Sequence, residues 1–193
     1  MLVGNKRSPI SNAMIARHEF EQARNQAATM LRKAGIVATD REIADMDVAD
    51  FGLGRLSIEG AQIVTLVQTE RIAARVIVLF PGQTLPEHRH LPGRNDPGKE
   101  EVVRGIWGTV RVYSPGQPSI NAGSIPSGKE ALYTVRHETI LRPGEQILLS
   151  PGDRHWFQAG EEGAVLYSFS TSLNDAVDEF TDPRVVRKTR IAD

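Results

Sequence analysis

The spacing of apolar positions changes about a quarter of the way along the chain. Between Ile10 and Lys33, the positions Ile10, Met14, Phe20, Ala23, Ala27, Met30 and Leu31 roughly follow a helical stripe. The same stretch is rich in Ala, Arg, Glu, Gln and Met, which form helices readily. Ser8-Pro9 predicts its start, because Ser caps and Pro suits the first helical position. Gly35 predicts its end. A second, short helix is predicted from Arg41 to Asp45, with Thr39 and Glu42 at capping-box spacing. From Ala61 onward the pattern is that of strands. Predicted strands are Gln62 to Gln68, Ile72 to Phe80, Glu100 to Tyr113, Leu132 to Leu141, Gln146 to Ser150, His155 to Ala159 and Ala164 to Thr171. Pro81-Gly82, Pro115-Gly116, Pro143-Gly144 and Pro151-Gly152 punctuate them. Many short strands at this spacing predict a β-sandwich or small barrel. Ser114 to Lys129 reads as a long, exposed loop. The expected organisation is a helical extension over residues 1–50, packed on a β-barrel domain over residues 51–193 that includes a C-terminal segment.

Composition narrows the function classes. In 193 residues the hydrophobic fraction is 40% and the charged fraction 24%, which suits a packed protein. The formal net charge of -1 leaves no electrostatic footprint for nucleic acid or an anionic membrane. Cysteine is absent, so disulfides, thiolate metal sites and cysteine nucleophiles are excluded together. Any metal must be held by nitrogen and oxygen. No long apolar run follows Lys6 and Arg7, so neither a signal peptide nor a membrane helix is expected, and a cytoplasmic location is.

The five histidines carry most of the chemical information. His88 and His90 stand two apart and would share one face of a strand, where two imidazoles can bind one divalent cation. Beyond a Gly/Pro/Asn/Asp-rich connection comes Lys99-Glu100-Glu101. Lys99 and Glu101 share a face there, and Glu100 points the other way. His155 follows the turn Pro151-Gly152-Asp153-Arg154. Singly, each has an ordinary explanation: a solvated histidine pair, a surface carboxylate, a capping histidine. His18 reads as exposed or structural and His137 as a satisfied barrel histidine.

Jointly, the pattern resembles the two signature motifs of the cupin superfamily. The first runs from Gly82 through five residues to His88-x-His90, then to Glu101 and through six residues to Gly108. The second runs from Pro143-Gly144 through an apolar strand to Pro151-Gly152-Asp153-Arg154-His155. The connection before Glu101 is longer than usual, Pro143 and Gly144 are adjacent, and Ala159 replaces a frequent Asn. The resemblance implies a mainly β fold, the cupin double-stranded β-helix (jelly-roll) barrel with N-terminal α-helices. It implies a metal site of His88, His90, Glu101 and His155.

A narrower resemblance is to the D-lyxose isomerase family of cupins. It is carried by Asp50-Phe51-Gly52-Leu53-Gly54, Pro86-Glu87-His88-x-His90, Lys99-x-Glu101, Ser168-Phe169-Ser170-Thr171 and Phe180-Thr181-Asp182-Pro183. That family implies a manganese-dependent aldose–ketose isomerase acting on D-lyxose and D-xylulose, and on D-mannose and D-fructose. The ligand types alone also allow Co, Ni, Fe or Zn. Isomerisation moves a proton between C1 and C2, and the enediolate needs positive charge near its oxygens. Lys99 is the expected catalytic and sugar-binding cation, with a plain ion pair to Glu101 as its alternative. Trp107 has the parity of Glu101 and is a candidate for lining the sugar pocket, with a core role as its alternative. Longer family members carry a Glu where this chain has Ser168, so the general base is open. Asp175, Asp178 and Glu179 are nearby carboxylates that the sequence does not place. A homodimer is expected, because pairing protects barrel edges. A cupin dioxygenase and a non-catalytic sugar-binding cupin remain alternatives at this point.

Overall fold

A computed structural model describes residues 13–93, 97–171 and 178–192. The helix expected from Ile10 begins at Arg17: α1 spans Arg17–Lys33. Ahead of it, β1 (Ile15–Ala16) pairs in parallel with β11 (Ile191–Ala192), which takes the chain out of the helical path. Met14 is consequently exposed. Ser8 and Pro9 lie outside the described residues. The stripe itself holds, since Ala23, Ala27, Met30 and Leu31 are buried. Next comes α2 (Asp40–Ala44), closed at its start by the reciprocal capping box of Thr39 and Glu42.

The strands that follow are β2 (Asp47–Ala49), β3 (Ala61–Gln68), β4 (Ala73–Leu79), β5 (Thr84–His90), β6 (Glu101–Ser114), β7 (His137–Leu141), β8 (Gln146–Leu149), β9 (His155–Ser170) and β10 (Asp178–Phe180). They form one curled antiparallel sheet in the order β10-β5-β9-β4-β3-β2, with β6 joined to β7, β8 and β9. The two strands expected over 155–171 are one continuous strand, β9. It is the spine of the sheet, pairing with β4, β5 and β6.

Strand alternation sorts the apolar residues into two layers. On β4, Ile77 and Leu79 face an inner cluster with Leu85, Val103, Val110, Val112, Phe157 and Leu166. Val76 and Val78 face the opposite way, into a cluster shared with Ala23, Ala27, Met30 and Leu31 of α1. The first fifty residues therefore supply both an outer helix and a sheet strand, β2. The fold is mainly β, a curled antiparallel half-barrel with N-terminal helices, the arrangement that the cupin resemblance implies.

The expected strand from Leu132 is shorter, starting at His137. Residues 115–136 hold no helix or strand, and the expected loop over 114–129 is largely exposed, with side chains at its far end and beyond it turned inward. Tyr133 and Lys129 are buried, and Ile120, Ile125, Leu132 and Val135 pack on Tyr113 and Trp156. Trp156 stacks on Tyr113 at 3.6 Å between ring centroids. Its indole N–H donates to the Val135 carbonyl at 2.8 Å, so it is sealed beneath its own chain.

The segment Asp50 to Gly54 makes a tight left-handed turn. The Asp50 carboxylate accepts the backbone N–H groups of Gly52 (2.9 Å) and Gly54 (3.1 Å). Gly52 has φ +65°, and a Cβ there would meet Val186 at 2.9 Å. The turn delivers Phe51 to the inner cluster, where it meets Phe180 with ring centroids 5.5 Å apart.

Candidate functional site

His88 and His90 project from one face of β5, and His155 opens β9 directly across from His88 in the antiparallel register. The strand geometry alone therefore gathers three imidazoles. All three are buried, and their ligand nitrogens lie within 4.8 Å of one another. Hydrogen bonding fixes which nitrogen points inward. A carbonyl oxygen only accepts, so His88 Nδ1 donates to the Pro86 carbonyl at 2.9 Å and His155 Nδ1 to the Asp153 carbonyl at 2.9 Å. Nε2 of each is left with its lone pair. His155 Nε2 is buried with no hydrogen-bond partner, a costly state for a polar atom unless a ligand completes it.

Electrostatics agree with ligand duty. Burial pushes His155 down to about 4, and burial followed by the neighbouring imidazoles holds His88 well below its ordinary value. Both are neutral near pH 7, as metal-binding imidazoles must be. His90 differs. Burial works against its charge, but hydrogen bonds to Asp178 and Glu101 outweigh that and raise its pKa.

Glu101 begins β6 and is buried in the same cavity. Its Oε2 lies 3.1 Å from His90 Nε2 and 3.2 Å from Lys99 Nζ. Its Oε1 accepts the Ser168 hydroxyl at 2.5 Å. Burial disfavours the carboxylate, but the Lys99 ammonium and His90 hold its pKa well below the usual range. Two donor atoms about 2.1 Å from a common centre and at a right angle to each other stand about 3.0 Å apart. The His90–Glu101 contact has that spacing, while the group whose ligand atoms all lie within 4.8 Å of one another is His88, His90 and His155 without Glu101; these three imidazoles could hold a divalent ion.

The cavity is lined by His88, Lys99, Glu101, Ser168 and Asp178, with Phe51, Phe180, Ile77, Leu85 and Phe157 as apolar walls. Arg75 and Arg187 also line it; Arg187 is paired with Asp47 at 2.7 Å. Of the three carboxylates the sequence left unplaced, Asp178 lies in the cavity. Glu179 lies outside it, bonded to Arg89 and Arg154. Asp175 lies outside the described residues.

The structure does not bring Trp107 to this cavity. It packs with the outer cluster beneath α1. The register of β6 against β9 shifts between Gly105 and Trp107, so the alternation counted from Glu101 breaks before it reaches the indole. His137 is remote from the cluster and bonds the Gln117 carbonyl at 3.1 Å; His18 is exposed on α1. Sequence reasoning missed Arg75 and Arg187. Arg75 could have been found, since it alternates with Ile77 on β4. Arg187 sits on no strand or helix, and no periodicity marks it.

No family model matches the chain. Individual relatives do. A D-lyxose ketol-isomerase of Cohnella laeviribosi is 49% identical over 170 residues, spanning 88% of this chain and 93% of that protein. The chain belongs to the D-lyxose ketol-isomerase family. A family relative named D-lyxose/D-mannose isomerase, from Thermosediminibacter oceani, is 44% identical over 93% of this chain and the whole of that protein. Among solved structures, the L-ribose isomerase of Cellulomonas parahominis superposes with a TM-score of 0.78 at 17% identity, over 93% of this chain and 99% of that one. The L-ribose isomerase of Acinetobacter sp. DL28 gives 0.75 at 16% identity, over 94% and 100%. At such identities the likeness establishes that this D-lyxose ketol-isomerase family member shares their fold.

Proposed function

We propose that the chain is a metal-dependent aldose–ketose isomerase that interconverts D-lyxose and D-xylulose, and D-mannose and D-fructose. The observation that carries the reading is the buried, convergent trio of imidazoles, with His88 and His155 neutral and His155 Nε2 orphaned, in a chain whose family is named for this reaction. His88, His90, His155 and Glu101 are the proposed ligands, and manganese the proposed metal. When bound there, a divalent ion supplies a Lewis acid for the sugar oxygens on C1 and C2 as negative charge grows on them.

The chain's own residues account for the rest. The Lys99 ammonium sits at the cavity wall and stabilises the developing enediolate through a hydrogen bond to a sugar oxygen. Proton transfer between C1 and C2 needs a base. Glu101 is a proposed metal ligand, so the transfer is assigned to Asp178, the other carboxylate that lines the cavity. Ser168 gives its hydrogen to Glu101 and orients that carboxylate; it is not a base. Phe51 and Phe180 wall the cavity and keep water from the reacting carbons. A cavity lined by Lys99, Glu101, Asp178, Arg75 and Arg187 suits a polyol better than the apolar substrate of a cupin oxygenase.

The expected homodimer has a candidate surface. Val67, Ala74, Phe169, Val102 and Leu148 lie side by side across five adjacent strands. Val67, Phe169 and Leu148 are exposed there. The row continues the sheet face that α1 covers elsewhere, and a second copy of the chain would bury it. Among the described residues, no helix is long and apolar enough to cross a membrane.

The isomerase reading is tested with D-mannose in heavy water, followed by proton NMR. D-fructose carrying some deuterium at C1 is expected, since a proton held by a carboxylate exchanges with solvent. Absence of ketose from both D-mannose and D-lyxose with Mn, Co or Ni present contradicts it.

A further inference from the structure

Away from the imidazole cluster lies a second group of buried charges that the reaction does not use. Lys129 Nζ lies 2.8 Å from Oε1 of Glu59 and 3.0 Å from Oδ2 of Asp182. The Tyr133 hydroxyl donates to the same Glu59 oxygen at 2.7 Å. All four residues are buried, at 1% exposure for Glu59 and Tyr133 and 4% for Lys129 and Asp182. Arg184 closes the group, with Nε 2.9 Å and Nη2 2.8 Å from the Asp182 carboxylate oxygens. A buried ion group of this kind is weak evidence for stability, because desolvation offsets the attraction. What it does is fix geometry: it ties three distant parts of the chain, at residues 59, 129–133 and 182–184, to one point.

Glu87 makes a second tie to the same segment. It is 1% exposed and points away from His88, its neighbour on β5. Its carboxylate accepts the Thr134 hydroxyl at 2.8 Å, the Val135 N–H at 2.9 Å and the Thr181 hydroxyl at 2.6 Å. The Thr181 N–H donates to the Glu87 carbonyl at 3.0 Å. Both ties thus grip Thr181 and Asp182, immediately after β10. That strand lies in register along β5, with Asp178 opposite His90 and Phe180 opposite His88. It places the Asp178 carboxylate 2.6 Å from His90 Nδ1 and stacks the Phe180 ring on His88 at 5.3 Å. Three residues form a short strand, and an edge strand of that length has little pairing of its own.

We propose that Lys129, through Glu59 and Asp182, and Glu87, through Thr181, are positioning residues that hold β10 against β5 and thereby set the placement of Asp178 on His90 and of Phe180 on His88. None of them touches the cavity. They act through β10, which carries groups that do. The long segment 115–136 has its role here: its sequence supplies Lys129, Tyr133 and Thr134, and its packing on Trp156 anchors them. The inference rests on the metal reading of the His88/His90/His155 cluster.

The test loads the full chain with Co(II). The visible absorption spectrum reads the ligand geometry, and competition with a chelator reads affinity. Lys129→Met removes the central charge, and Thr181→Val removes one hydroxyl while keeping its volume. Outer partners of metal-bound histidines typically change affinity by about 10–100-fold when lost. Each variant that keeps the parent's far-ultraviolet circular dichroism is expected to bind Co(II) at least about tenfold more weakly, with a changed spectrum. If Lys129→Met does not fold, Thr181→Val carries the same readouts. Folded variants with the parent's affinity and spectrum overturn the inference, even if their melting temperature falls. A parent chain that binds no Co(II) fails the metal reading instead, and the two failures are distinct.

Discussion

Asp178 accepts the Nδ1 hydrogen of His90 at 2.6 Å, across the register that pairs β10 with β5. The contact aims His90 Nε2 at the cavity and makes the ring a stronger donor. It also leaves a second carboxylate lining the cavity, in the role that the sequence left unfilled.

Asp178→Asn separates these duties from simple packing, because the amide keeps the shape and loses the charge. The expected outcome is a fall in kcat for D-lyxose of about two to four orders of magnitude, the usual worth of a positioned base. Metal affinity should fall by much less, about tenfold. Steady-state kinetics at saturating Mn(II), with metal content measured in parallel, checks both. An unchanged kcat would remove Asp178 from the proton transfer.

Lys99 Nζ is 3.2 Å from Glu101 Oε2 and lines the cavity, so an ion pair and a catalytic role coexist. Lys99→Met is expected to lower turnover by about two to three orders of magnitude, the cost of losing one charged donor to the transition state. Its metal content should stay near that of the parent, since Lys99 is not a proposed ligand. Glu101→Gln should show the reverse order of effects, with metal lost first. Elemental analysis after dialysis distinguishes the two variants.

The metal-free protein should lose stability on acidification between about pH 6.5 and pH 4. Burial lowers His155 to about 4 and His88 well below its ordinary value. Both bind protons more readily when unfolded. Their contribution is therefore fully present above about 6.5 and is lost as pH falls through the folded values. The raised His90 acts in the opposite sense, and its contribution is lost as pH rises. Glu101, with its pKa held well below 4.5, loses its contribution as pH falls further. Thermal melts of chelator-treated protein from pH 7.5 to pH 4 should show a falling midpoint. Added Mn(II) should stabilise at the upper end and fade on acidification, as protons displace it. A midpoint independent of pH over this range would contradict the burial of neutral imidazoles.

Much of this site is legible in the sequence because its ligands sit on strands. His88 and His90 share a face by the two-residue period, and Pro151-Gly152 announces the turn that returns His155. Trp107 was not legible, because a register shift after Gly105 interrupts the same period. Asp178 and Phe180 escape a pattern reading for another reason. Their strand is three residues long, and side-chain ties from Glu87, Lys129 and Asp182 hold it where its own periodicity says nothing. The loop over 114–129 is legible in its turn residues, but the burial of Lys129 at its end is not, because its partners lie about fifty to seventy residues distant in sequence. The α1 start shows the limit of local signals, since pairing of β1 with β11 at the far end of the chain overrides a helical pattern.

Phe169→Glu addresses the quaternary expectation. It places a charge in the exposed row formed by Val67, Ala74, Phe169, Val102 and Leu148. Light scattering at micromolar concentration should report a dimer for the parent chain and a monomer for the variant. A monomeric parent would contradict the dimer.

A metal held by His88, His90, His155 and Glu101 is proposed to make the cavity an isomerase. The most direct measurement is D-xylulose formation from D-lyxose by chelator-stripped protein, before and after addition of Mn(II). Stripped protein is expected to form no ketose, Mn(II) to restore turnover, and a His155→Ala variant to form none under the same conditions. Ketose formation that survives metal removal, or its absence from Mn(II)-loaded parent protein, would contradict it.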